Sequence, residues 1–171
     1  APDLSKNPNV QRGNRLEPFV RSRIEGIIGE TLEVICAEHD VHPIIKCSFD
    51  GLDSSEQPHE IKCPTDGVFA EVELFGESSD AFELYRHQVI YQCLISGASK
   101  GFLYFYSETK DELLSFTITV KESDEAILET AIAFWELIQS KTPPEKDEKR
   151  DKLEASELGD SSLIAQLISS K

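Results

Sequence analysis

Stretches with a helical repeat and stretches with a strand repeat are interspersed along this chain, and that order limits its fold more than any other feature. In residues 13–30, Leu16, Val20, Ile24 and Ile27/Ile28 recur at helical spacing. Pro18 fits this helix only if it begins close by, because the first turn needs no proline N–H. Gly29 suits the C-terminal stop. Short strands are predicted at 31–37, 43–48 and 58–63. Between the last two, residues 49–57 (FDGLDSSEQ) read as a turn, so the flanking strands are expected to form a hairpin. Residues 65–79 are acidic, hold two glycines and read as a loop with room for a short helix. A second helix is predicted over 80–96, opened by Asp80 as N-cap and stopped by Gly97. Ala81, Tyr85, Val89 and Gln92/Cys93 share one of its sides. Strands at 101–107 and 113–120 and a helix at 124–140 complete the order α-β-β-β-α-β-β-α. That order predicts an α/β fold, a mixed central sheet flanked by helices.

A length of 171 residues suits one domain with a real core. The folded domain is expected over 1–141, followed over 142–171 by an acidic linker and a short amphipathic tail carrying Leu163, Ile164, Leu167 and Ile168. No apolar run approaches the roughly 18–20 residues of a membrane span, and no N-terminal stretch has a signal-peptide layout. A cytoplasmic protein without a membrane partner is expected. The four cysteines, Cys36, Cys47, Cys63 and Cys93, form no C-x-x-C pair and lie in apolar-rich stretches, so buried reduced thiols are expected. His39-x-x-His42 lacks a second ligand pair for zinc. The net charge of −15 is the opposite of the basic footprint of most DNA-binding proteins. Carboxylates that recruit divalent cations would supply the missing positive charge locally.

Three residues carry the chemistry. Asp50 precedes the predicted turn, and Glu60-Ile61-Lys62 lies in the next strand. Side chains alternate along a strand, so Glu60 and Lys62 point to one face, and a hairpin can bring Asp50 beside them. Two clustered carboxylates resist joint ionisation unless a cation sits between them. Oxygen ligands of this kind suit Mg²⁺, which also binds substrate phosphate. An E-x-K tripeptide alone is common on ordinary strand surfaces, so its flanks decide its meaning.

Those flanks resemble a known family. Ser48-Phe49-Asp50-Gly51-Leu52 followed by Glu60-Ile61-Lys62-Cys63-Pro64 is similar to the S-x-D-G-L … E-[IL]-K-C-P signature of the lambda exonuclease-like (YqaJ-type viral recombinase) nucleases of the PD-(D/E)XK superfamily. Upstream, Arg12-Gly13-Asn14-Arg15-Leu16-Glu17-Pro18 resembles that family's G-x-x-x-E-P helix. Downstream, Tyr85-Arg86-His87-Gln88-Val89 resembles its Q-V-x helix, followed by an aromatic strand like 101–106. The resemblance implies a restriction-endonuclease-like core and a 5′→3′ double-strand DNA exonuclease using two Mg²⁺ ions, with Mn²⁺ as a substitute. In that reading Asp50, Glu60, the Ile61 carbonyl and Glu17 hold metal. Lys62 orients and activates the attacking water, Gln88 braces the site, and Ser48 and Arg86 meet the DNA. The implied partners are duplex DNA ends and a single-strand annealing recombinase, and the implied assembly is a ring of three chains. Family members carry a further upstream segment with phosphate contacts, which is expected to precede residue 1. A structure- or sequence-specific endonuclease on the same core is the alternative, followed by a non-catalytic acidic interaction protein. No P-loop is present, and no four-cysteine set for an iron–sulfur cluster.

Overall fold

The computed structural model describes residues 6–38 and 45–142. His39, His42 and the predicted linker and tail over 143–171 lie outside the described residues. The chain divides into two compact units, 1–133 and 134–171. In the second, the described residues are the last turns of a helix and the residues that close it, where the Thr142 amide donates to the Leu137 carbonyl.

The first unit begins with helix α1 (Pro8–Ile28). Asn7 caps it, its side chain accepting from the Asn9 amide at 2.9 Å, and Pro8 occupies the first turn. This start lies upstream of the expected residue 13, so Pro18 is inside the helix rather than near its beginning. The cap at Asn7 and Pro8 is the stronger start signal. Gly29 ends the helix at φ 78°, as expected, its amide donating to the Glu25 carbonyl.

Strands β1 (Glu33–Glu38) and β2 (Lys46–Leu52) pair antiparallel. Strand β3 (His59–Lys62) follows, then α2 (Asp66–Phe75) and a short 3₁₀ turn over Gly76–Ser78. Helix α3 (Asp80–Ser96) leads to β4 (Lys100–Ser107) and β5 (Glu112–Thr119). A 3₁₀ turn over Glu122–Glu125 then precedes α4 (Ala126–Gln139). Strand β3 pairs parallel to β4, which pairs antiparallel to β5. The α/β architecture with mixed strand pairing is the one predicted.

Several local expectations change. The hairpin between the second and third strands does not form as a ladder. A single bridge, Leu52 to Pro58, joins them, while β2 pairs with β1 and β3 with β4. The turn is shorter than expected and built on Asp53, whose carboxylate accepts from the Ser55 and Gln57 amides. Asp50 and Gly51 therefore lie within β2. Gly51 serves packing rather than turning, since a Cβ there would sit 2.9 Å from the Leu32 side chain. Residues 65–79 are mostly helix, because Phe69 and Val72 bury one side of α2 despite its acidity. Ser79 rather than Asp80 caps α3, accepting from the Phe82 amide. Of the cysteines only Cys93 is buried, and Cys36 is exposed because β1 offers most of its residues to solvent.

Helices cover both faces of the β3–β4–β5 sheet. On one side, Leu16, Val20 and Ile24 of α1 pack with Ile61, Tyr104 and Tyr106. On the other, Phe69 and Val72 of α2 and Phe82, Val89, Ile90 and Cys93 of α3 pack with Leu103, Phe105 and Ile118. The alternation along β4, Leu103 and Phe105 against Tyr104 and Tyr106, divides the two layers. In β3 the same alternation sends Ile61 toward α1 and Glu60 toward α3. Where α3 crosses the sheet, a Cβ on Gly101 would lie 2.7 Å from Val89 and 2.9 Å from Cys93 Sγ. Gly101→Ala should therefore destabilise the fold by about 1–3 kcal/mol. Urea unfolding measures it, and an unchanged midpoint would mean that the close approach relaxes freely.

Candidate active site

Glu60 is the centre of the site. Only 2% of its surface is exposed, which is unusual for a carboxylate. It is held at both oxygens. Oε1 accepts from Lys62 Nζ at 2.6 Å and from Gln88 Nε2 at 2.7 Å, and Oε2 accepts from Gln92 Nε2 at 2.6 Å. Gln88 uses its other end as well, its Oε1 accepting from Lys62 Nζ at 3.0 Å. Lys62, Glu60 and Gln88 thus form a closed triangle of hydrogen bonds. The Lys62 ammonium also lies 4.4 Å from the centre of the Tyr85 ring, which adds a cation–π contact.

Asp50 enters from β2. Its Oδ2 accepts the Ile61 amide at 2.9 Å. A side chain thereby takes the β3 amide that a β2–β3 ladder would otherwise have used. Burial, and then the charge of Asp50, push the Glu60 carboxyl above the usual carboxylate range, while Lys62 and Gln92 pull it back. Glu17, on α1, is raised by the same two causes and pulled back by Arg21, whose Nη2 lies 2.9 Å away. Asp50 therefore acts on two further carboxylates, Glu60 and Glu17, each from a different element. Hard oxygen donors in that condition fit a divalent cation. Among the described residues, no group of three or more His, Cys, Asp and Glu is placed to hold a metal ion by itself. Any ion here would need donors beyond carboxylates.

The sequence-predicted residues fall into two groups. Asp50, Glu60, Ile61, Lys62 and Gln88 are joined by direct contacts, and Glu17 is joined to them electrostatically. Ser48 is linked through its backbone, its carbonyl accepting from Gln92 at 3.1 Å, while its side chain is exposed. Arg86 stands apart. Its guanidinium lies 3.8 Å from Glu83 and 4.0 Å from Asp124.

Gln92 is the residue that sequence reasoning missed. It is fully buried, and its Nε2 spans Glu60 and the Ser48 carbonyl, which fixes the amide orientation and leaves Oε1 without a partner among the described residues. The signal was a polar side chain on the apolar side of α3, one turn after Gln88. Gln92→Leu should cost about 1–3 kcal/mol at neutral pH, because Glu60 Oε2 is left unsatisfied. The cost should shrink at acid pH, where a protonated Glu60 needs fewer donors. Urea titrations at the two pH values compare them, and equal costs would show that Gln92 does not serve the carboxylate.

Beyond this cluster, His59 is buried between the rings of Phe102 and Tyr104, with Asp53 Oδ2 at 3.3 Å from Nε2 and Tyr104 Oη at 3.0 Å from Nδ1. Burial lowers its pKa and Asp53 partly offsets this. Its place beside the Asp53 turn makes it a structural brace.

The YqaJ-like viral recombinase domain model matches residues 2–99, more than half of the chain. Among solved structures, the chain is similar to an alkaline exonuclease (LHK-Exo) from Laribacter hongkongensis, with a TM-score of 0.70 and 24% identity over 80% of this chain and 71% of that one. The same enzyme in complex with dAMP matches with a TM-score of 0.69 and 23% identity, over the same shares. At these identities the likeness establishes the fold. A comparison with curated proteins gave no match. The interspersed helices and strands, the Asp50–Glu60–Lys62 cluster and the matched residues lead to one conclusion: the chain belongs to the YqaJ-like viral recombinase domain family.

Proposed function

We propose that this protein is a metal-dependent DNA exonuclease that degrades one strand of linear duplex 5′→3′. The observation that carries the proposal is the buried Glu60 carboxylate, bonded at once to Lys62, Gln88 and Gln92 and charged against Asp50. A surface hairpin has no use for such an arrangement, and neither does a non-catalytic acidic protein. The family membership and the similarity to an alkaline exonuclease support the same reading.

Asp50, Glu60 and the Ile61 carbonyl would hold a divalent cation, with Glu17 contributing to a second. Mg²⁺ suits them, because it is commonly held by one or two carboxylates with water and substrate phosphate completing its shell. Mn²⁺ is the natural substitute. When bound, the cations supply positive charge to the attacking and leaving oxygens of an in-line phosphodiester hydrolysis. The chain's own residues do the positioning. Lys62, an ammonium bonded to Glu60 and Gln88, donates to the attacking water and holds it beside the phosphorus, and the proton that the water sheds passes to bulk solvent. Gln88 fixes Lys62 and Glu60 relative to each other. The bond from phosphorus to the leaving oxygen breaks as the water oxygen adds. Ser48, exposed at the end of this cluster, and Arg86 are proposed contacts for the DNA backbone.

In this proposal the enzyme works from duplex ends beside a single-strand annealing recombinase in the cytoplasm, as a ring of three chains. No helix among the described residues is long and apolar enough to cross a membrane. The test is digestion of end-labelled linear, nicked and covalently closed circular duplex, with Mg²⁺, with Mn²⁺ and with chelator. Release of nucleotides from 5′ ends of linear DNA alone is expected. Cutting of the closed circle would turn the reading toward an endonuclease, and metal-independent cutting would remove the cation from it.

A further inference from the structure

A cavity of about 490 Å³ opens beside Lys62 and Ile61, between the first half of α1 and the start of α2. Its polar lining includes Arg12, Asn9, Glu17 and Thr65 as well as Lys62. The two acids and bases of the known cluster that reach it are already matched: Lys62 lies against Glu60 and Glu17 against Arg21. Arg12 is not. Of the described arginines, Arg15 lies against Glu108, Arg21 against Glu17, Arg23 against Asp111 and Arg86 against Glu83 and Asp124. Arg12 alone among them forms no ion pair, in a chain of net charge −15.

Its guanidinium is nonetheless held in place. Nε donates to the Cys63 carbonyl at 3.2 Å, which anchors it one residue beyond Lys62, and Nη2 donates to Asn9 Oδ1 at 3.2 Å. A guanidinium carries five N–H donors, so several remain for a ligand. It is part-buried and oriented by two neutral acceptors. Glu108 acts on it through space without a direct ion pair, and a cation so placed beside the reacting lysine is suited to a ligand that brings its own negative charge. The planar donor fork matches the oxygens of a phosphate.

We propose that Arg12 binds a backbone phosphate of the DNA strand lying in this cavity, next to the phosphodiester positioned at Lys62. This deepens the nuclease reading and rests on it. Arg12 is thus a substrate-binding residue, and its charge offsets locally the repulsion between an acidic protein and DNA.

The test measures binding separately from cutting. Anisotropy of a fluorescein-labelled linear duplex, in chelator, is read across a salt series for wild type, Arg12→Gln, Arg12→Lys and Arg23→Ala. Arg12→Gln keeps a donor for the Cys63 carbonyl and removes only the charge. Arg12→Gln should weaken binding about tenfold and reduce the slope of log affinity against log salt by about one. Arg12→Lys should recover part of the affinity and the full slope. Arg23→Ala, which removes the exposed pair with Asp111, should match wild type. In Mg²⁺, Arg12→Gln should raise KM far more than it lowers kcat. Wild-type affinity and slope in Arg12→Gln would overturn the proposal, as would an equal loss in Arg23→Ala. A wild-type chain that binds duplex with this Arg12 dependence but never cuts it would instead overturn the nuclease reading alone.

Discussion

Lys62→Ala should reduce cleavage of linear duplex by about a thousandfold, the range expected for loss of a positioned hydrogen-bond donor at the reacting atoms. It should also weaken the fold, because Lys62 is the cation bonded to buried Glu60 at 2.6 Å. Removing one partner of a buried pair costs about 3–5 kcal/mol. The lower end applies here, since Gln88 and Gln92 still hold the carboxylate. The pH dependence has a definite sign. Glu60 holds its proton more tightly when folded, because burial and Asp50 outweigh Lys62. Its protonated form therefore contributes stability that is present below the ordinary carboxylate range. That contribution is lost as pH rises through the raised folded value. Without Lys62 the folded value rises further, so the fall in Tm from acid to neutral pH should steepen. Lys62→Arg separates the roles, restoring part of the lost stability through its charge but not cleavage, since a planar guanidinium cannot aim its donors as the compact ammonium does. Thermal melts across pH and rates on linear duplex provide both readouts. A Lys62→Ala protein that cuts at the wild-type rate removes the lysine from the chemistry.

Asp50→Asn should abolish activity and leave the protein at least as stable at neutral pH. Its amide oxygen can still accept the Ile61 amide, so the hydrogen bond survives while the charge is lost. Asp50 raises both Glu60 and Glu17, which are disfavoured as anions in the fold. Removing it lets both ionise nearer the ordinary carboxylate range. Stability should then rise above that range and change little below it. Mn²⁺ affinity measured by calorimetry should fall at least about tenfold, since one of the few charged oxygen donors is gone. Unchanged affinity would exclude Asp50 as a ligand, and a lower Tm at neutral pH would mean that its charge stabilises rather than opposes its neighbours. A gain in stability with loss of activity is the usual mark of a functional charge cluster.

How far this was legible in the sequence differs by residue. Glu60, Lys62 and Gln88 were readable because strand alternation and motif flanks act over a few residues, and the structure joins those three directly. Asp50 was readable for a reason that needed correction. A hairpin was expected to bring it near Glu60, whereas it reaches the Ile61 amide from within a strand that pairs with β1. Strand partners are chosen across the whole fold, so local turn signals at Asp50-Gly51 pointed to the wrong pairing. Gln92 escaped notice because its neighbours Val89 and Cys93 made that side of α3 look like plain core. Helix α2 was obscured by its acids and glycines, since burial of Phe69 and Val72 depends on a sheet formed later in the chain.

The parallel pairing of β3 with β4 has a consequence for the timing of assembly. Glu60 finds its register partner, Leu103, only after α2 and α3 have been made and folded back. Such distant pairings close slowly. The glutamines that grip Glu60 sit on that same crossover, on α3. A chain emerging from the ribosome therefore carries Asp50, Glu60 and Lys62 well before they can act together. On the nuclease reading proposed above, hydrolytic competence would arrive only with the completed fold.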